Sequence, residues 1–346
     1  MSRALVISGG GSKGAFAVGV LKRLQTEFPE LGFDIFVGTS TGSLITPMVA
    51  VEELYFLETI FTTKHTEDIV HIKNLGERLK QDAIFDDTPL QQLIVDNYSN
   101  DRYKKILDSG KKLFFTSVCL QTGELVVFTT DPNPAQSKYY KVQTLKNADH
   151  FRAAIMASAS QPVFMHPIHV NAAEPGAANA HYQFVDGGVR EYAGIQMAID
   201  AGATEIFTIL LSSGAADDDS VEFGTIFPIL QRLIDIFIDD VGKNDLIIPQ
   251  QYNDALHYID AVKKKMESDG ISPAKLNEYF HIAGLENPFE GKVPLKLYTI
   301  RPDAPLGGGP GGLTFDPAIQ SAMVQKGKAA GEEFIAGLNP GEITWA

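Results

Sequence analysis

Ser40 has the sequence neighbours expected of a nucleophile. It lies in Gly38-Thr39-Ser40-Thr41-Gly42, which follows the apolar run 33–37 and precedes a segment with helical spacing. A serine on such a sharp strand-to-helix turn exposes its hydroxyl group, and the flanking glycines avoid a clash across the turn. A serine that only caps a helix has a similar local pattern, so the motif needs chemical partners elsewhere in the chain.

A glycine-rich loop near the N-terminus supplies one such partner. Gly9-Gly10-Gly11-Ser12-Lys13-Gly14 lies between the apolar run 4–8 and a helical segment. Glycines let other groups approach the backbone closely, and N–H groups at a helix start bind anions or a developing oxyanion. The same string also fits the G-x-G-x-x-G pattern of dinucleotide-binding loops, whereas no Gly-Lys-Ser/Thr completes a P-loop.

A carboxylate is the other partner. Asp186-Gly187-Gly188 follows the short apolar run 182–185. At the end of a strand, an Asp before two glycines reaches the edge of the sheet at which α/β proteins form their sites. Taken alone, Asp-Gly is also an ordinary turn.

These three motifs, in this order, resemble those of the patatin-like phospholipase family. A further match is the segment 153–164, Ala-Ala-Ile-Met-Ala-Ser-Ala-Ser-Gln-Pro-Val-Phe, which is similar to the family's helix-then-proline segment before the Asp motif. The resemblance covers roughly residues 4–212, and the last third of the chain contributes no motif to it. The order and context of the motifs are more specific than any one of them.

The resemblance implies a serine lipid acyl hydrolase with a Ser40–Asp186 dyad and no histidine, no cofactor and no metal ion. Ser40 would attack the ester carbonyl and Asp186 would accept the hydroxyl proton, while the amides of Gly10, Gly11 and Ser12 would bind the oxyanion. The glycines that would support these motifs are Gly9, Gly14, Gly38, Gly42, Gly187 and Gly188. Because a free Asp has a pKa of about 3.9, we expect Asp186 to be partly buried and within hydrogen-bond reach of Ser40.

Two other functions are compatible with parts of the pattern. A Ser-His-Asp esterase or acyltransferase would use His257 or His281, which follow Asp186, although such folds build several strands before the nucleophile. A dinucleotide- or phosphate-binding module would use the loop Gly9–Gly14. It would need an acidic residue at the end of the second strand, where Val37-Gly38 stands instead.

Apolar runs and helical spacing alternate along the chain, which predicts a three-layer α/β/α sandwich with a mainly parallel central sheet. Strands are predicted at 4–8, 33–37, 111–120, 124–130, 182–185, 205–211 and 295–300. Helices are predicted at 15–28, after Ser40, through most of 52–108, and at 149–159, 195–201, 221–240, 246–268 and 316–338. We divide the chain into a core, 1–212, and a mostly helical C-terminal part, 213–346, packed on the same domain. Residues 215–220 are interpreted as a solvated acidic loop, and Phe223–Ile238 as a core helix rather than a lid or lipid-facing helix.

The amino-acid composition restricts the kinds of molecule and surface that the protein can be expected to bind. The formal net charge of −14 argues against nucleic acid and anionic membranes, which leaves a neutral or zwitterionic lipid surface as the compatible one. The expected partner is a lipid or other acyl ester substrate. Cys119 is the single cysteine, and we expect a buried thiol. Without a signal peptide pattern or an apolar run of about 18 residues, we expect a cytoplasmic protein; the pattern does not predict its oligomeric state.

Overall fold

The structure, a computed structural model, describes residues 2–72, 82–174, 176–214 and 222–343. In chain order its strands are β1 (Arg3–Ile7), β2 (Ile35–Gly38), β3 (His71–Ile72), β4 (Phe85–Asp86), β5 (Lys112–Cys119), β6 (Leu125–Thr129), β7 (Lys141–Thr144), β8 (Phe184–Asp186), β9 (Glu205–Ile209) and β10 (Lys296–Ile300). The described α-helices are α1 (Gly14–Glu27), α2 (Thr41–Ala50), α3 (Leu54–Thr63), α4 (Thr88–Asn97), α5 (Asn100–Asp108), α6 (Ala148–Ala159), α7 (Ile195–Asp200), α8 (Ile226–Ser268), α9 (Pro273–Phe280) and α10 (Pro317–Gly337).

The main sheet has the strand order β10-β9-β1-β2-β5-β6-β7, and β8 pairs with β5 beside this path. The strands from β10 to β5 are all parallel, whereas β6 and β8 run antiparallel to β5. Parallel neighbours need crossover connections, which the helices between them supply. The predicted three-layer α/β/α class with a mainly parallel sheet is confirmed.

Both faces of the sheet are covered, as a parallel sheet requires. Along β1, Leu5 and Ile7 belong to one apolar cluster, and Ala4 and Val6 belong to the other. The first cluster includes side chains of α1, α2, α6 and α10, and the second includes those of α7 together with partly buried residues of α8. The centre of the sheet is therefore buried on both faces, and the strand ends that carry the motifs extend from this core.

Several predicted elements need correction. The region 52–108 contains the short strands β3 and β4 in addition to helices, and β7 and α9 were not predicted. The two helices expected around residues 221–240 and 246–268 form one helix, α8, which continues through the intervening residues and contains Pro249. The predicted acidic loop 215–220 lies outside the described residues. Cys119 is a buried free thiol, as expected.

The interpretation of Phe223–Ile238 as a core helix is wrong. None of the described side chains in this segment is buried, and Ile226 and Phe237 are 73% and 62% exposed. Apolar periodicity shows that a helix has an apolar face, but it does not show which way that face points. Across the described residues, no helix combines the length and apolar character that crossing a bilayer requires.

The C-terminal third contributes to the same sheet and to the same core. Strand β10, which was predicted, pairs with β9 through the register Ile300↔Ile209. Helix α10 lies against α1 so closely that a Cβ added at Gly327 would overlap the carbonyl oxygen of Phe16. The division of the chain at residue 212 stays a prediction.

Candidate active site

Ser40 occupies a strained turn between β2 and α2. It has φ 55° and ψ −125°, a conformation that costs a non-glycine residue about 1–3 kcal/mol. The turn is tight because Gly38 and Gly42 lie against each other, and a Cβ on Gly38 would lie 2.5 Å from the carbonyl carbon of Gly42. The Ser40 amide donates to the Ser158 hydroxyl oxygen at 3.1 Å, which ties the turn to α6. Strain that the surroundings enforce in this way is typical of functional positions.

Strand β5 brings Asp186 to the same place. Along one side of β5, β2 pairs as far as Gly38↔Phe115, and β8 pairs from the other direction with Asp186↔Ser117. The ends of β2 and β8 therefore meet across two residues of β5. The Asp186 amide donates to the carbonyl oxygen of Ser160 at 2.8 Å, so its backbone is fixed from a second side.

The two side chains lie close together. The Ser40 hydroxyl is near enough to the Asp186 carboxylate to lower its pKa, and the Gly188 amide donates to Asp186 Oδ1 at 2.8 Å. Asp186 is 4% exposed. Burial raises the pKa of Asp186 to about 6, because loss of solvent disfavours the charged form more than Ser40 and the Gly188 amide favour it. The carboxylate is thus a stronger base than a free Asp and is still ionised at neutral pH.

The loop Gly9–Gly14 lies directly beside Ser40. A Cβ on Gly9 would lie 3.0 Å from Ser40 Cβ, so only glycine allows this approach. Gly10 and Gly11 line the cavity that contains Ser40 and Asp186, and Gly11 and Ser12 open a single 3₁₀ turn. Amides at the first positions of a helix have no partner within it. The side chain of Ser12 is completely buried, and this residue does not line the cavity, unlike Gly10, Gly11 and Lys13.

The other glycines of the motifs are sites of close backbone packing. A Cβ would overlap Ile7 O at Gly42 and Thr116 Oγ1 at Gly187, and at Gly14 it would lie 2.7 Å from the ring of Phe61. At Gly188 a Cβ would lie 3.2 Å from Asp186 Oδ1, which is tight but less severe. These glycines let the motifs pack closely against β1, β5 and α3.

A cavity of about 580 Å³ opens in front of Ser40 and Asp186. Small-molecule sites typically have this size. One part of its wall is apolar and is formed by side chains of α2, α3 and α4: Leu44, Met48, Leu57, Phe61, Leu90 and Ile94. Another part comes from the C-terminal third and is mixed, with Arg232, Asp235 and Asp239 of α8, the apolar Ile236 and Ile238 of the same helix, and the glycine loop before α10. The cavity therefore offers both apolar and charged side chains to a ligand at the candidate nucleophile.

Sequence reasoning missed several residues of this site. Tyr192 is buried, lines the cavity and lies beside Gly9, and a Cβ on Gly9 would be 3.6 Å from its ring. The loop residue Gly311 donates its amide to Asp235 Oδ2 at 3.2 Å. Gly11 and Gly312 are in contact, since a Cβ on Gly11 would overlap the carbonyl oxygen of Gly312. In the sequence, residues 307–312 stand out only by their glycine content. That content does not indicate which residues the loop contacts.

Neither histidine of the rival triad lies in the cavity. His257 is exposed on α8, and His281 is exposed with its ring 3.6 Å from Glu290. The described residues that line the cavity include no histidine. Within the described ranges, no group of three or more His, Cys, Asp or Glu side chains is placed to hold a metal ion.

Comparison with known proteins decides the family. The crystal structure of VipD from Legionella pneumophila is similar over 97% of this chain and 67% of VipD, with 12% sequence identity and a TM-score of 0.43. No curated protein sequence matches the chain significantly. The family model for patatin-like phospholipases, however, matches residues 5–199. The chain belongs to the patatin-like phospholipase family. It is therefore a lipid acyl hydrolase by family, and its substrate class is lipid.

The family match contains the three motifs that the sequence predicted. Ser40, Asp186 and the loop Gly9–Gly14 all lie within residues 5–199. Helix α8, the glycine loop 307–312 and helix α10 lie outside the match. The patatin-like part thus supplies the candidate dyad, whereas the charged α8 residues of the cavity wall come from the C-terminal third.

Proposed function

We propose that this patatin-like protein hydrolyses a carboxylic ester bond of a phospholipid or another acylglycerol, in the manner of a phospholipase A, with Ser40 as nucleophile and Asp186 as its base. The observation that carries the proposal is the position of Ser40, on its strained turn, beside the buried carboxylate of Asp186. The raised pKa of Asp186 supports its role as a base, and the apolar wall of the cavity fits an acyl chain.

In the acylation step, Ser40 Oγ attacks the ester carbonyl carbon and its proton moves to the Asp186 carboxylate. The carbonyl oxygen becomes an oxyanion beside the amides of Gly10 and Gly11, and each such donor contributes about 3 kcal/mol to the transition state. The C–O bond to the alcohol then breaks, and the leaving alkoxide takes the proton from Asp186. The acyl group remains bound to Ser40 as an ester.

In the deacylation step, the same residues act with water as the nucleophile. Asp186 accepts a proton from water, whose oxygen attacks the acyl carbonyl carbon, and the oxyanion is again stabilised by Gly10 and Gly11. Collapse of this intermediate releases the carboxylic acid and returns the proton to Ser40 Oγ. Neither half-reaction calls for a metal ion, so we expect turnover to persist in a chelator.

A fluorophosphonate probe tests the nucleophile directly. We expect one adduct by intact mass, mapped by peptide sequencing to Ser40, with labelling lost in Ser40→Ala and strongly slowed in Asp186→Asn. Ser43→Ala serves as the matched control, because Ser43 lies on the same turn of α2 and donates to the Ser40 carbonyl oxygen. An adduct on another serine, or none on a protein with an intact thermal transition, would contradict the proposal.

The histidine triad is tested by single substitutions. His257→Ala and His281→Ala should keep ester hydrolysis within about twofold, because both rings lie outside the cavity. Loss of activity in either variant, with its melting temperature unchanged, would favour a Ser-His-Asp mechanism over the dyad.

A further inference from the structure

The N-terminal half of α8 forms part of the wall of the catalytic cavity. Its residues Pro228, Arg232, Asp235 and Asp239, at helical spacing, line the cavity together with Ile236 and Ile238. Asp235 also accepts the amide of Gly311 at 3.2 Å, which fixes this side of the helix toward the protein. The inner side of the helix therefore combines charged and apolar residues.

The outer side is apolar. Ile226, Ile229, Leu233 and Phe237, here called the outer stripe, follow one another at spacings of three and four residues and are 73%, 44%, 44% and 62% exposed. An amphipathic helix of a globular protein normally turns its apolar face to the core and its polar face to water. Here four large apolar side chains of the helix are exposed, so the outer stripe is suited to an apolar surface outside the molecule.

The outer stripe is continuous with the opening of the cavity. The exposed residues among those that line the cavity are Pro228 and Ile236 of α8 and Pro305, Gly307 and Gly309 of the loop between β10 and α10. These residues mark the mouth, and α8 forms one of its sides. A surface that covers the outer stripe therefore lies against the mouth as well.

We propose that the outer stripe docks on a zwitterionic phospholipid surface and so places the mouth of the cavity against the lipid. The proposal rests on the proposed function, since a lipid ester is then the substrate that must enter. Apolar side chains on one helix face insert to a shallow depth at the boundary between headgroups and acyl chains. The net charge of −14, with Asp240 next to Phe237 on the helix, disfavours an anionic surface and leaves the zwitterionic one.

Vesicle flotation tests the docking apart from catalysis. In the Ser40→Ala background, the protein should float with phosphatidylcholine vesicles, and addition of I226S, L233S and F237S should reduce the bound fraction at least about tenfold. The matched control carries I282S, L285S and V293S, whose wild-type side chains are 57%, 65% and 56% exposed elsewhere on the surface, and it should float like the Ser40→Ala protein. Because Ser40→Ala is inactive under the proposed function, this readout does not depend on turnover.

Kinetics with an intact Ser40 separate docking from chemistry. The outer-stripe variant should lose at least about tenfold in hydrolysis of phosphatidylcholine vesicles, while it hydrolyses a water-soluble short-chain ester within about twofold of the wild type. Equal flotation of the outer-stripe and control variants, or absence of the Ser40→Ala protein from the vesicle fraction, would overturn the proposal. So would a dimer by light scattering that the outer-stripe substitutions dissociate, because a second copy would then cover the stripe. If the wild type hydrolyses no ester yet the flotation result holds, the proposed function fails and the docking stands.

Discussion

At the scale of single residues, Asp186 must be ionised at neutral pH and yet basic enough to accept a proton from serine. For a carboxylate in water these two requirements conflict. A carboxylate that is ionised at neutral pH is normally too weak a base to take a proton from serine. Burial in the cavity wall raises its pKa to about 6, while the nearby Ser40 hydroxyl and the Gly188 amide favour the charged form. The position of this pKa is therefore a property that can be measured in catalysis.

Hydrolysis should depend on the ionisation of Asp186. Because only the carboxylate accepts the serine proton, kcat/KM for a soluble ester should rise about tenfold per pH unit below pH 6 and level off above it. The pH–rate profile between pH 4.5 and about 9 gives this value. A profile that is flat across pH 6, in a protein that stays folded, would mean that Asp186 is not the base.

The strain at Ser40 predicts different effects for two substitutions. Ser40→Ala and Ser40→Gly should both lower kcat by about 10⁴ or more, because both remove the nucleophile. Ser40→Gly should be the more stable by roughly 1 kcal/mol, because glycine adopts φ 55° without a Cβ penalty. Denaturant unfolding measures the difference.

Glu52 offers the control for this comparison. It also has a positive φ, 65°, and it is exposed and outside the cavity. Glu52→Gly should likewise be more stable than Glu52→Ala, but both should keep full activity. If Ser40→Ala and Ser40→Gly are equally stable while the Glu52 pair differs, the turn at Ser40 is not strained.

At the scale of elements, α8 is attached to the segment that follows Asp186. Asp245 accepts the amides of Tyr192 and Ala193, at 2.5 Å and 3.2 Å, and the Glu191 carboxylate accepts the amide of Gly194 at 2.9 Å. Burial, followed by the nearby charge of Asp245, raises the pKa of Glu191. The charge of Asp245 thus favours the protonated form of Glu191 where α8 meets the chain after the candidate base.

Stability should therefore fall with rising pH at this contact. The folded protein holds the Glu191 proton more tightly than the unfolded chain does, so stability is highest below the ordinary glutamate pKa of about 4.3 and is lost as the pH rises through the raised value. Glu191→Gln keeps an acceptor for Gly194 without the charge. Its melting temperature at pH 8 should exceed that of the wild type by about 2 °C or more, and the gap should close near pH 5.

An exposed glutamate provides the comparison. Glu286 is 88% exposed, and Glu286→Gln should leave the melting temperature unchanged at both pH values. A Glu191→Gln protein with the same pH dependence as the wild type would show that the contact does not hold a proton.

Elements with a local sequence pattern could be predicted, whereas features that depend on long-range contacts could not. Strands β1, β2 and β8 are buried, so they appear as short apolar runs, and the motifs at their ends identified the glycine loop and the candidate dyad. The outward direction of the apolar face of α8 had no such signal, because periodicity is unchanged when a helix is rotated. The contact between Gly11 and Gly312 joins residues about three hundred positions apart, so neither segment reveals the other.

At the scale of the whole molecule, α1 and α10 join the two ends of the chain. Gly19 of α1 and Gly327 of α10 allow the two backbones to touch, since a Cβ on Gly19 would overlap the carbonyl oxygen of Val324. Helix α1 starts at the last glycine of the loop beside Ser40. The last helix thus supports the element from which the candidate oxyanion loop extends.

Gly327→Ala should destabilise the protein by about 1–3 kcal/mol, because the added methyl group forces the helices apart. Gly337→Ala, in the same helix with open space around it, should be neutral or slightly stabilising. Unfolding in urea compares the two variants. Equal stabilities would mean that α1 and α10 separate without a large cost.

The contact between the loop of Gly11 and the loop of Gly312 also determines when the candidate site can form during translation. A ribosome releases Ser40 and Asp186 well before it makes the glycine loop, and the 126 residues from Asp186 to Gly312 take on the order of ten seconds to translate. During that interval the nascent chain carries both candidate dyad residues but lacks part of the wall of their cavity and the helix that packs on α1. The candidate site is therefore complete only after the glycine loop has been synthesised.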